Sequence, residues 1–346
     1  MTLNSFWFLL IAILWIGYFI LEGFDFGVGI LLRVLGKNEA ERRTLLTTLG
    51  PIWDGNEVWL LVAGGATFAA FPEWYATLFS GFYLPLFLIL LSLIIRGVAF
   101  EYRSKYGSPT WRNRWDFAIS ISSFIPALLW GVAFSNIVRG IPLHTSKLGN
   151  VEYAGGFFNL LNLYSLLGGV TTLFLFITHG AIFISLKTDG ELRIKARFLA
   201  IRTGLVTAVL AVSYLLWTLI GLTHKSLVIM GSLLIVITWI ASLAFNFLGK
   251  EGWSFVFSSL TTALVVATLF EALYPNVLPS NNGSLGLNIF NASSSHYTLK
   301  VMTIVAVFMT PIVLLYQGWT YWIFRKRISP NQISDPHKGV LDHLHQ

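Results

Sequence analysis

The sequence contains no cysteine and has few charged residues: 11% of its 346 residues are charged, whereas 55% are hydrophobic. The absence of cysteine excludes disulfide bonds, thiolate-bound iron–sulfur clusters, cysteine-ligated zinc and covalently attached c-type haem. A soluble domain carries about 25% charged residues, so this chain has too little charge to cover a surface that faces water. The composition therefore predicts an integral membrane protein, built from spans of about 20 residues.

Long apolar runs indicate where these spans lie. We predict an all-α membrane protein with nine transmembrane helices. The predicted spans are residues 6–32, 51–71, 75–94, 117–138, 157–186, 201–222, 227–248, 255–273 and 299–324. Two four-helix blocks followed by a ninth helix are one natural partition of this set.

The basic residues indicate the orientation, because cytoplasmic loops hold the excess of Lys and Arg. If the spans alternate in direction, 23 basic residues divide unevenly, and all fall on one side except Arg139, Lys147, Lys225 and Lys300. An odd number of spans, with the N-terminus outside and the C-terminus inside, satisfies this division. The net charge of +7 then reflects topology, and we expect no nucleic-acid partner.

Acidic side chains at membrane depth are functional candidates, because each costs at least about 2.5–3.5 kcal/mol at a helix centre. Glu22 and Asp25 are three residues apart on the first predicted span, and Asp54 and Glu57 are three apart on the second, so each pair shares a helix face. Together with Arg96 they gather toward the cytoplasmic side. Closely packed carboxylates cannot all remain ionised, so some can hold protons near neutral pH. The pattern favours a proton relay; the alternative is that these groups only hold helices together.

Three further residues on the same side are weaker candidates. Glu101 and Asp116 fall at the cytoplasmic ends of the next two predicted spans, where the membrane interface tolerates charge. Trp53 stands beside Asp54 and offers a flat apolar face next to a carboxyl group, as a quinone ring requires. Tryptophan also anchors helices at membrane interfaces without any ligand, and that interpretation of Trp53 remains open.

The histidine supply argues against haem ligation by this chain. His179 is the only histidine well inside a predicted span, and one such residue cannot form a bis-histidine site. Met230, Met302 and Met309 lie on other spans, where methionine more often packs than ligates. We therefore expect no haem or metal ion ligated by this chain.

Six stretches resemble a known family. They are residues 23–29 (GFDFGVG), 53–60 (WDGNEVWL), 96–105 (RGVAFEYRSK), 111–116 (WRNRWD), 255–261 (FVFSSLT) and 298–303 (TLKVMT). In this order they resemble subunit II of the cytochrome bd quinol oxidases, and the resemblance spans nearly the whole chain. It is specific because several long motifs recur together.

The resemblance implies a heterodimer in a bacterial cytoplasmic membrane, part of the respiratory chain. The larger subunit I would carry two b-type haems and haem d, oxidise quinol at the outer face and reduce oxygen to water with protons from the cytoplasm. This chain would have a similar fold without haem ligands. Its parts would be a first four-helix bundle with the acidic cluster (1–138), a second bundle (139–273), an outer loop with the peripheral ninth helix (274–324) and a cytoplasmic tail (325–346).

The resemblance also implies roles for single residues. The acid matching Asp54 lies on a proton route toward the haems, the acid matching Glu101 lies near its cytoplasmic entrance, and Asp25 is carried over by its motif. Some relatives hold a quinone near the residues matching Trp53 and Asp54. We therefore expect Asp25, Asp54, Glu57 and Glu101 on a proton pathway, and a quinone site at Trp53, Asp54 and Arg96.

Two features depart from the family pattern or leave a choice open. The family acid at position 101 can be Asp, and the short link 223–226 replaces a longer segment of some relatives. The resemblance also implies quinol as the substrate of the complex and leaves room for small accessory subunits. A function from another class, a proton-coupled secondary transporter, also places carboxylates inside the membrane.

Overall fold

The computed structural model describes residues 2–147 and 149–332, and these form an almost entirely helical molecule. Two short antiparallel hairpins, β1 with β2 and β3 with β4, lie in the connections. The helices are α1 (Leu3–Leu35), α2 (Glu39–Leu49), α3 (Trp53–Ala70), α4 (Pro72–Gly81), α5 (Tyr83–Tyr102), α6 (Pro109–Arg139), α7 (Leu163–Lys187), α8 (Gly190–Gly221), α9 (Ser226–Phe247), α10 (Glu251–Leu273) and α11 (His296–Ile323). The strands are β1 (Leu143–Thr145), β2 (Val151–Tyr153), β3 (Asn276–Leu278) and β4 (Leu287–Asn288), with 3₁₀ turns at Phe157–Leu160 and Pro330–Gln332.

Side-chain caps explain where several helices begin. The Ser5 backbone N–H donates to Thr2 Oγ1 at 3.2 Å, and that of Glu41 donates to Asn38 Oδ1 at 2.9 Å. Asn162 caps α7 in the same way. Ser, Thr, Asn and Asp stabilise helix starts because their oxygens accept from otherwise unpaired N–H groups.

Membrane crossings are marked by helix length and apolarity. In the described part of the chain nine helices have 18 or more residues, and eight of them are apolar enough to cross a membrane. The exception is α3, whose first turns hold Asp54, Asn56 and Glu57. An all-helical membrane protein is thus confirmed, whereas a count of nine transmembrane helices stays a prediction.

The third predicted span begins at the wrong residue. We predicted residues 75–94, but the chain there forms two helices, α4 ending at Gly81 and α5 beginning at Tyr83. Pro85 explains the break, because proline lacks the N–H that would bond to the carbonyl of Gly81 and its ring clashes with that carbonyl. Helix α5 instead continues to Tyr102 and carries Arg96 and Glu101.

Glycines let α1 and α7 cross closely at the centre of the molecule. A Cβ atom placed on Gly27 would lie 2.0 Å from the carbonyl oxygen of Phe176, and one on Gly180 would lie 2.5 Å from the carbonyl carbon of Gly27. Small residues permit such close approach of membrane helices. The crossing holds α1, with Asp25, firmly in the core.

Helix α11 lies at the edge of the molecule. Of its residues, all of which are described, only Leu299 is buried. One end is attached by Trp7, whose indole N–H bonds to Leu299 O at 3.1 Å and Thr303 Oγ1 at 3.0 Å. The other end continues into Ile328, whose N–H donates to Lys187 O at 2.9 Å. Helix α11 is therefore peripheral to the rest of the described chain.

Candidate functional site

A polar cluster lies where α1, α3, α5 and α11 meet. We call it the buried cluster and define it by Glu22, Asp25, Asn56, Glu57 and Arg96. The side chains of all members except Glu57 are completely shielded from solvent. Charged groups in such surroundings persist only when paired or hydrogen-bonded, so their partners decide what the cluster can do.

Glu22 and Arg96 form the central ion pair of the buried cluster. Arg96 Nη1 donates to Glu22 Oε1, and it also lies 4.0 Å from Glu57 Oε2. The guanidinium carbon of Arg96 lies 5.0 Å from the ring centre of Phe26 and 5.1 Å from that of Phe100. These rings add cation–π attraction and keep the charge away from lipid.

Asp25 is held by an amide rather than by a cation. Asn56 Nδ2 donates to Asp25 Oδ2 at 2.8 Å, while Asn56 Oδ1 accepts from the Tyr321 hydroxyl at 2.6 Å and from Gln317 Nε2 at 3.4 Å. Gln317 Oε1 in turn accepts from the indole N–H of Trp59 at 2.7 Å. Helix α11 therefore reaches the acid of α1 through one residue of α3.

Several atoms of the buried cluster have no hydrogen-bond partner among the described residues. They are Glu22 Oε2, Asp25 Oδ1, and the Nε and Nη2 atoms of Arg96. Buried polar groups normally find partners, and ordered water often supplies them. Two acceptors and two donors in one cluster are suited to water molecules that link the acids.

The other predicted site residues lie nearer the surface. Asp54 is exposed at the first turn of α3 and accepts from its neighbour Gly55 N–H at 2.8 Å. Glu57, one turn further, is half-buried. Glu101 is exposed on α5. The four predicted pathway acids thus differ in depth, and only Asp25 and Glu57 lie in the buried cluster.

The predicted quinone residues share an aromatic neighbour. Trp53 packs on Phe100 with ring centres 5.2 Å apart, and Phe100 also packs on the guanidinium of Arg96. The Trp53 ring lies 3.5 Å from where a Cβ atom on Gly97 would be. Trp53 and Arg96 therefore border one aromatic region, with Asp54 at its exposed edge.

Asp116 belongs to a second set of charges, beside α2. It contacts Arg103 Nε at 2.5 Å through Oδ1 and Arg42 Nη1 at 3.0 Å through Oδ2. Arg103 also bonds both carboxylate oxygens of Glu39 at 2.9 Å. Asp116 is paired with arginines rather than with the deeper acids, and these ion pairs attach α2 to α5 and α6. We call the end of the molecule that carries this network the α2 face.

Glu39 was not singled out by the sequence. Burial alone would raise the pKa of this carboxyl group, but hydrogen bonds and charges from Arg103, Arg112 and Arg43 outweigh burial and hold the pKa below its usual value. An acid with this environment remains ionised at neutral pH and serves as a structural partner for the arginines.

His179 uses both ring nitrogens inside the protein. Nε2 lies 3.1 Å from Ile20 O, and Nδ1 lies 2.8 Å from Ser258 Oγ. A backbone carbonyl only accepts, so Nε2 carries the hydrogen, and the lone pair of Nδ1 is covered by the Ser258 hydroxyl, which also contacts Phe255 O at 2.9 Å. The ring also stacks on Phe255 at 5.0 Å. No lone pair of His179 remains for an axial haem ligand, and the described residues contain no group of His, Asp or Glu suited to a metal ion.

Sequence reasoning placed Glu22 beside Asp25 but gave it no place on the pathway. It considered Asn56 only as a partner that satisfies the acids, and it missed Gln317 and Tyr321 as parts of the site. Gln317 is a polar residue four positions before Tyr321 in the last apolar run.

The family of this chain follows from its sequence. The sequence matches the profile of the family described as cytochrome bd terminal oxidase subunit II over residues 3–324. The chain belongs to this family. Membership confirms the resemblance noted in the sequence and makes the protein a subunit of a quinol:oxygen oxidoreductase complex. The alternative of a secondary transporter receives no support.

Relatives in the cytochrome bd subunit II family match the chain over almost its full length. Cytochrome bd ubiquinol oxidase subunit 2 of Bacillus subtilis (strain 168) is 43% identical over 333 residues, covering 95% of this chain and 97% of the relative. Cytochrome bd-I ubiquinol oxidase subunit 2 of Escherichia coli (strain K12) is 40% identical over 366 residues, covering 96% and 97%. These identities and coverages support the assignment for the whole chain.

A solved structure shares the fold. The structure of bd oxidase from Geobacillus thermodenitrificans has a chain that superposes with a TM-score of 0.76, covering 94% of this chain and 100% of that one. The sequence identity is 17%, so this likeness bears on the fold alone.

Proposed function

We propose that this chain is the non-haem subunit of its oxidase and conducts protons from the cytoplasm toward haems b and d, held by subunit I. The observation that carries the proposal is the graded burial of acids along α3 and α1. Asp54 is exposed, Glu57 is half-buried and Asp25 is fully buried. Asp54 and Glu57 are separated by about 4.5 Å along the helix axis, so a proton passing between them needs at most a short water link.

The cytoplasmic side in this proposal is the α2 face. That end carries the arginine network around Glu39 and Asp116, and Arg193, Arg197 and Arg327 around Glu251. Excess Lys and Arg mark cytoplasmic ends. The orientation places the N-terminus outside and the C-terminus inside a bacterial cytoplasmic membrane, with the exposed Asp54 opening toward the cytoplasm. Of the predicted tail, residues 333–346 lie outside the described residues.

Each acid has a distinct task along the route. Glu101 and Asp54 are exposed and exchange protons with water. Glu57 Oε2 lies 4.0 Å from Arg96 Nη1, whose positive charge favours the ionised carboxylate and so promotes release of a proton that Glu57 has accepted. Asp25 is the deepest predicted acid and holds a proton without exposing a charge to lipid. Arg96 balances Glu22, so the region never carries several uncompensated negative charges.

Among the described residues, His179 is the histidine well inside a membrane-spanning helix, and it does not fit a haem. A haem needs an axial ligand, and both nitrogens of His179 are already engaged. Met230 and Met309 have exposed side chains on the outside of α9 and α11. We therefore place the haems of the complex in subunit I and derive no step through them here.

A bound quinone fits beside the same acids. Trp53, Asp54 and Arg96 border the aromatic region around Phe100 and supply a flat surface, an acceptor and donors. Further along α3, an apolar cavity of about 360 Å³ is lined in part by Gly64, and its apolar walls suit an isoprenoid tail. A quinone is an electron carrier in the complex; in this chain Trp53 would supply the flat surface on which its head group stacks.

Docking of subunit I is the remaining part of the proposal. Helix α11 buries only Leu299 against the rest of the described chain, and its other faces are available to a partner or to lipid. Small accessory subunits are expected at the outer edges. We also propose the division into a first bundle (1–138), a second bundle (139–273) and the peripheral helix with its preceding loop (274–324).

Replacing Asp54 with Asn tests the proposed route. In the purified two-subunit complex, Asp54→Asn should reduce oxygen consumption and proton uptake together, while the haem absorbance remains. Asp189→Asn is the matched control, because Asp189 is also an exposed acid on the α2 face. Normal turnover of Asp54→Asn in an intact complex would overturn the role assigned to this acid.

A further inference from the structure

The orientation of the Asn56 amide can be read from its neighbours. An indole N–H only donates, so the atom of Gln317 that faces Trp59 at 2.7 Å must be its oxygen. The Gln317 amide nitrogen then faces Asn56, at 3.4 Å, and requires an oxygen there. The Tyr321 hydroxyl donates to the same Asn56 oxygen at 2.6 Å. Trp59, Gln317 and Tyr321 together fix which end of the Asn56 amide is oxygen.

The fixed amide presents only hydrogen to Asp25. Asn56 Nδ2 lies 2.8 Å from Asp25 Oδ2. An amide nitrogen donates and does not accept, so Oδ2 acts as an acceptor in every protonation state. In a protonated carboxyl group the carbonyl oxygen accepts hydrogen bonds better than the hydroxyl oxygen does. The Asn56 contact therefore makes Oδ2 the carbonyl oxygen and leaves the proton to Oδ1.

Asp25 Oδ1 is one of the buried cluster atoms that lack a hydrogen-bond partner among the described residues. Oδ1 and Glu22 Oε2 are both buried and have no partner among the described residues, as have two nitrogens of Arg96. Glu22 lies one turn before Asp25 on the same face of α1. A hydrogen on Oδ1 is the donor that Glu22 Oε2 lacks, either directly or through a water molecule held by the Arg96 nitrogens.

We propose that Asn56 and Tyr321 are positioning residues that direct the proton of Asp25 to Oδ1, on the side of Glu22. This inference adds detail to the proposed proton route, and its role in function depends on that route. It adds Glu22 as the next acceptor and gives α11 a task beyond contact with a partner. Asn56 and Tyr321 do not themselves carry the transferred proton.

Among the described residues, no other group near Asp25 donates a hydrogen bond that would change which of its oxygens carries the proton. Arg96, Glu57 and Asp54 act on Asp25 through their charges, from α5 and α3. From α7, His179 is already committed to Ile20 and Ser258. The Asn56 amide is the single hydrogen-bond donor to Asp25 recorded among the described residues.

Infrared spectroscopy of the purified complex tests the assignment. The difference between spectra at acidic and alkaline pH should contain the carbonyl stretch of protonated Asp25, identified by its loss in Asp25→Asn. In Asn56→Leu this band should shift to higher frequency, since the carbonyl oxygen has lost its donor. Tyr321→Phe keeps Asn56 and frees its amide to rotate, so it should shift or split the same band even if Asn56→Leu fails to assemble.

Tyr214→Phe is the matched control for Tyr321→Phe. It removes another buried phenol, which bonds to Ser135 at 3.0 Å in a different part of the molecule, and it should leave the band unchanged. An unshifted band in both Asn56→Leu and Tyr321→Phe would overturn the proposal, as would the absence of any band that Asp25→Asn removes. A shifted band combined with normal turnover of Asp25→Asn would uphold the positioning role and instead refute the proton route.

Discussion

Arg96 and Glu22 form an ion pair in which both side chains are completely buried. The pair joins α5 to α1 at the depth of Asp25, and it leaves one oxygen of Glu22 and two nitrogens of Arg96 without a partner among the described residues. A scaffold that needed only rigidity would be served as well by apolar side chains. The pair therefore suits a site that has to hold changing numbers of protons while its net charge stays small.

Removing one partner of the Arg96–Glu22 pair should destabilise the complex more than removing both. Arg96→Leu leaves Glu22 buried without its cation, which costs about 3–5 kcal/mol, so the complex should unfold at a markedly lower temperature or fail to assemble. The double variant Arg96→Leu with Glu22→Leu should recover most of this loss. Thermal unfolding of the detergent-purified complex measures both, and a double variant no more stable than Arg96→Leu would show that the pair is not a coupled unit.

The ion pairs on the α2 face should make stability depend on pH. The pKa of Glu39 in the folded protein lies below the usual 4.5, because hydrogen bonds and charges from arginines outweigh the effect of burial. The stabilisation is present above the unfolded-state pKa and is lost as the pH falls through the lower folded-state pKa. The unfolding temperatures of the native protein and Glu39→Gln should differ by a constant amount above about pH 6 and converge in stronger acid. A difference that grows in acid would contradict this.

Because α1 and α7 cross closely, adding one methyl group at Gly27 should strongly lower the stability of the protein. Gly27→Ala would place its Cβ 2.0 Å from the carbonyl oxygen of Phe176, and the helices would have to separate, at a cost of about 1–3 kcal/mol or more. Gly64→Ala is the matched control, because no atom lies within 4 Å of its Cβ position. Equal unfolding temperatures for the two variants would show that the helices do not cross this closely.

The haem content of a His179 variant distinguishes a structural role of His179 from ligation of a haem iron. His179→Leu loses the bonds to Ile20 and Ser258 and should lower the unfolding temperature. The amounts of b and d haem per assembled complex should not change, because no nitrogen of His179 is left to bind iron. Loss of one haem from an otherwise assembled complex would show that this chain contributes a ligand.

The sequence indicated the membrane class and the family, and it placed acids on the faces of the first two spans. These predictions succeeded because they use local patterns, since an apolar run or a three-residue spacing involves only residues close together in the chain. The contact of Tyr321 with Asn56 joins residues 265 positions apart, and no local pattern contains it. The neutralisation of Asp116 by Arg42 and Arg103 was missed for the same reason.

The break before α5 was missed for another reason. Residues 75–94 are apolar on both sides of Pro85, and hydropathy alone does not register the lost N–H of proline. The depth of Asp54 likewise could not be read from its position along a span, because it depends on which neighbouring helices cover it. Asp54 is exposed in the structure.

Proton uptake by the complex in lipid vesicles tests the central claim most directly. With the α2 face inside and a pH-sensitive dye in the vesicle lumen, quinol-driven oxygen reduction by the native complex should consume lumenal protons. Asp25→Asn should slow this uptake and oxygen reduction to the same extent while both haem types remain bound. Uptake at the native rate in an assembled Asp25→Asn complex would contradict a proton route through the buried cluster.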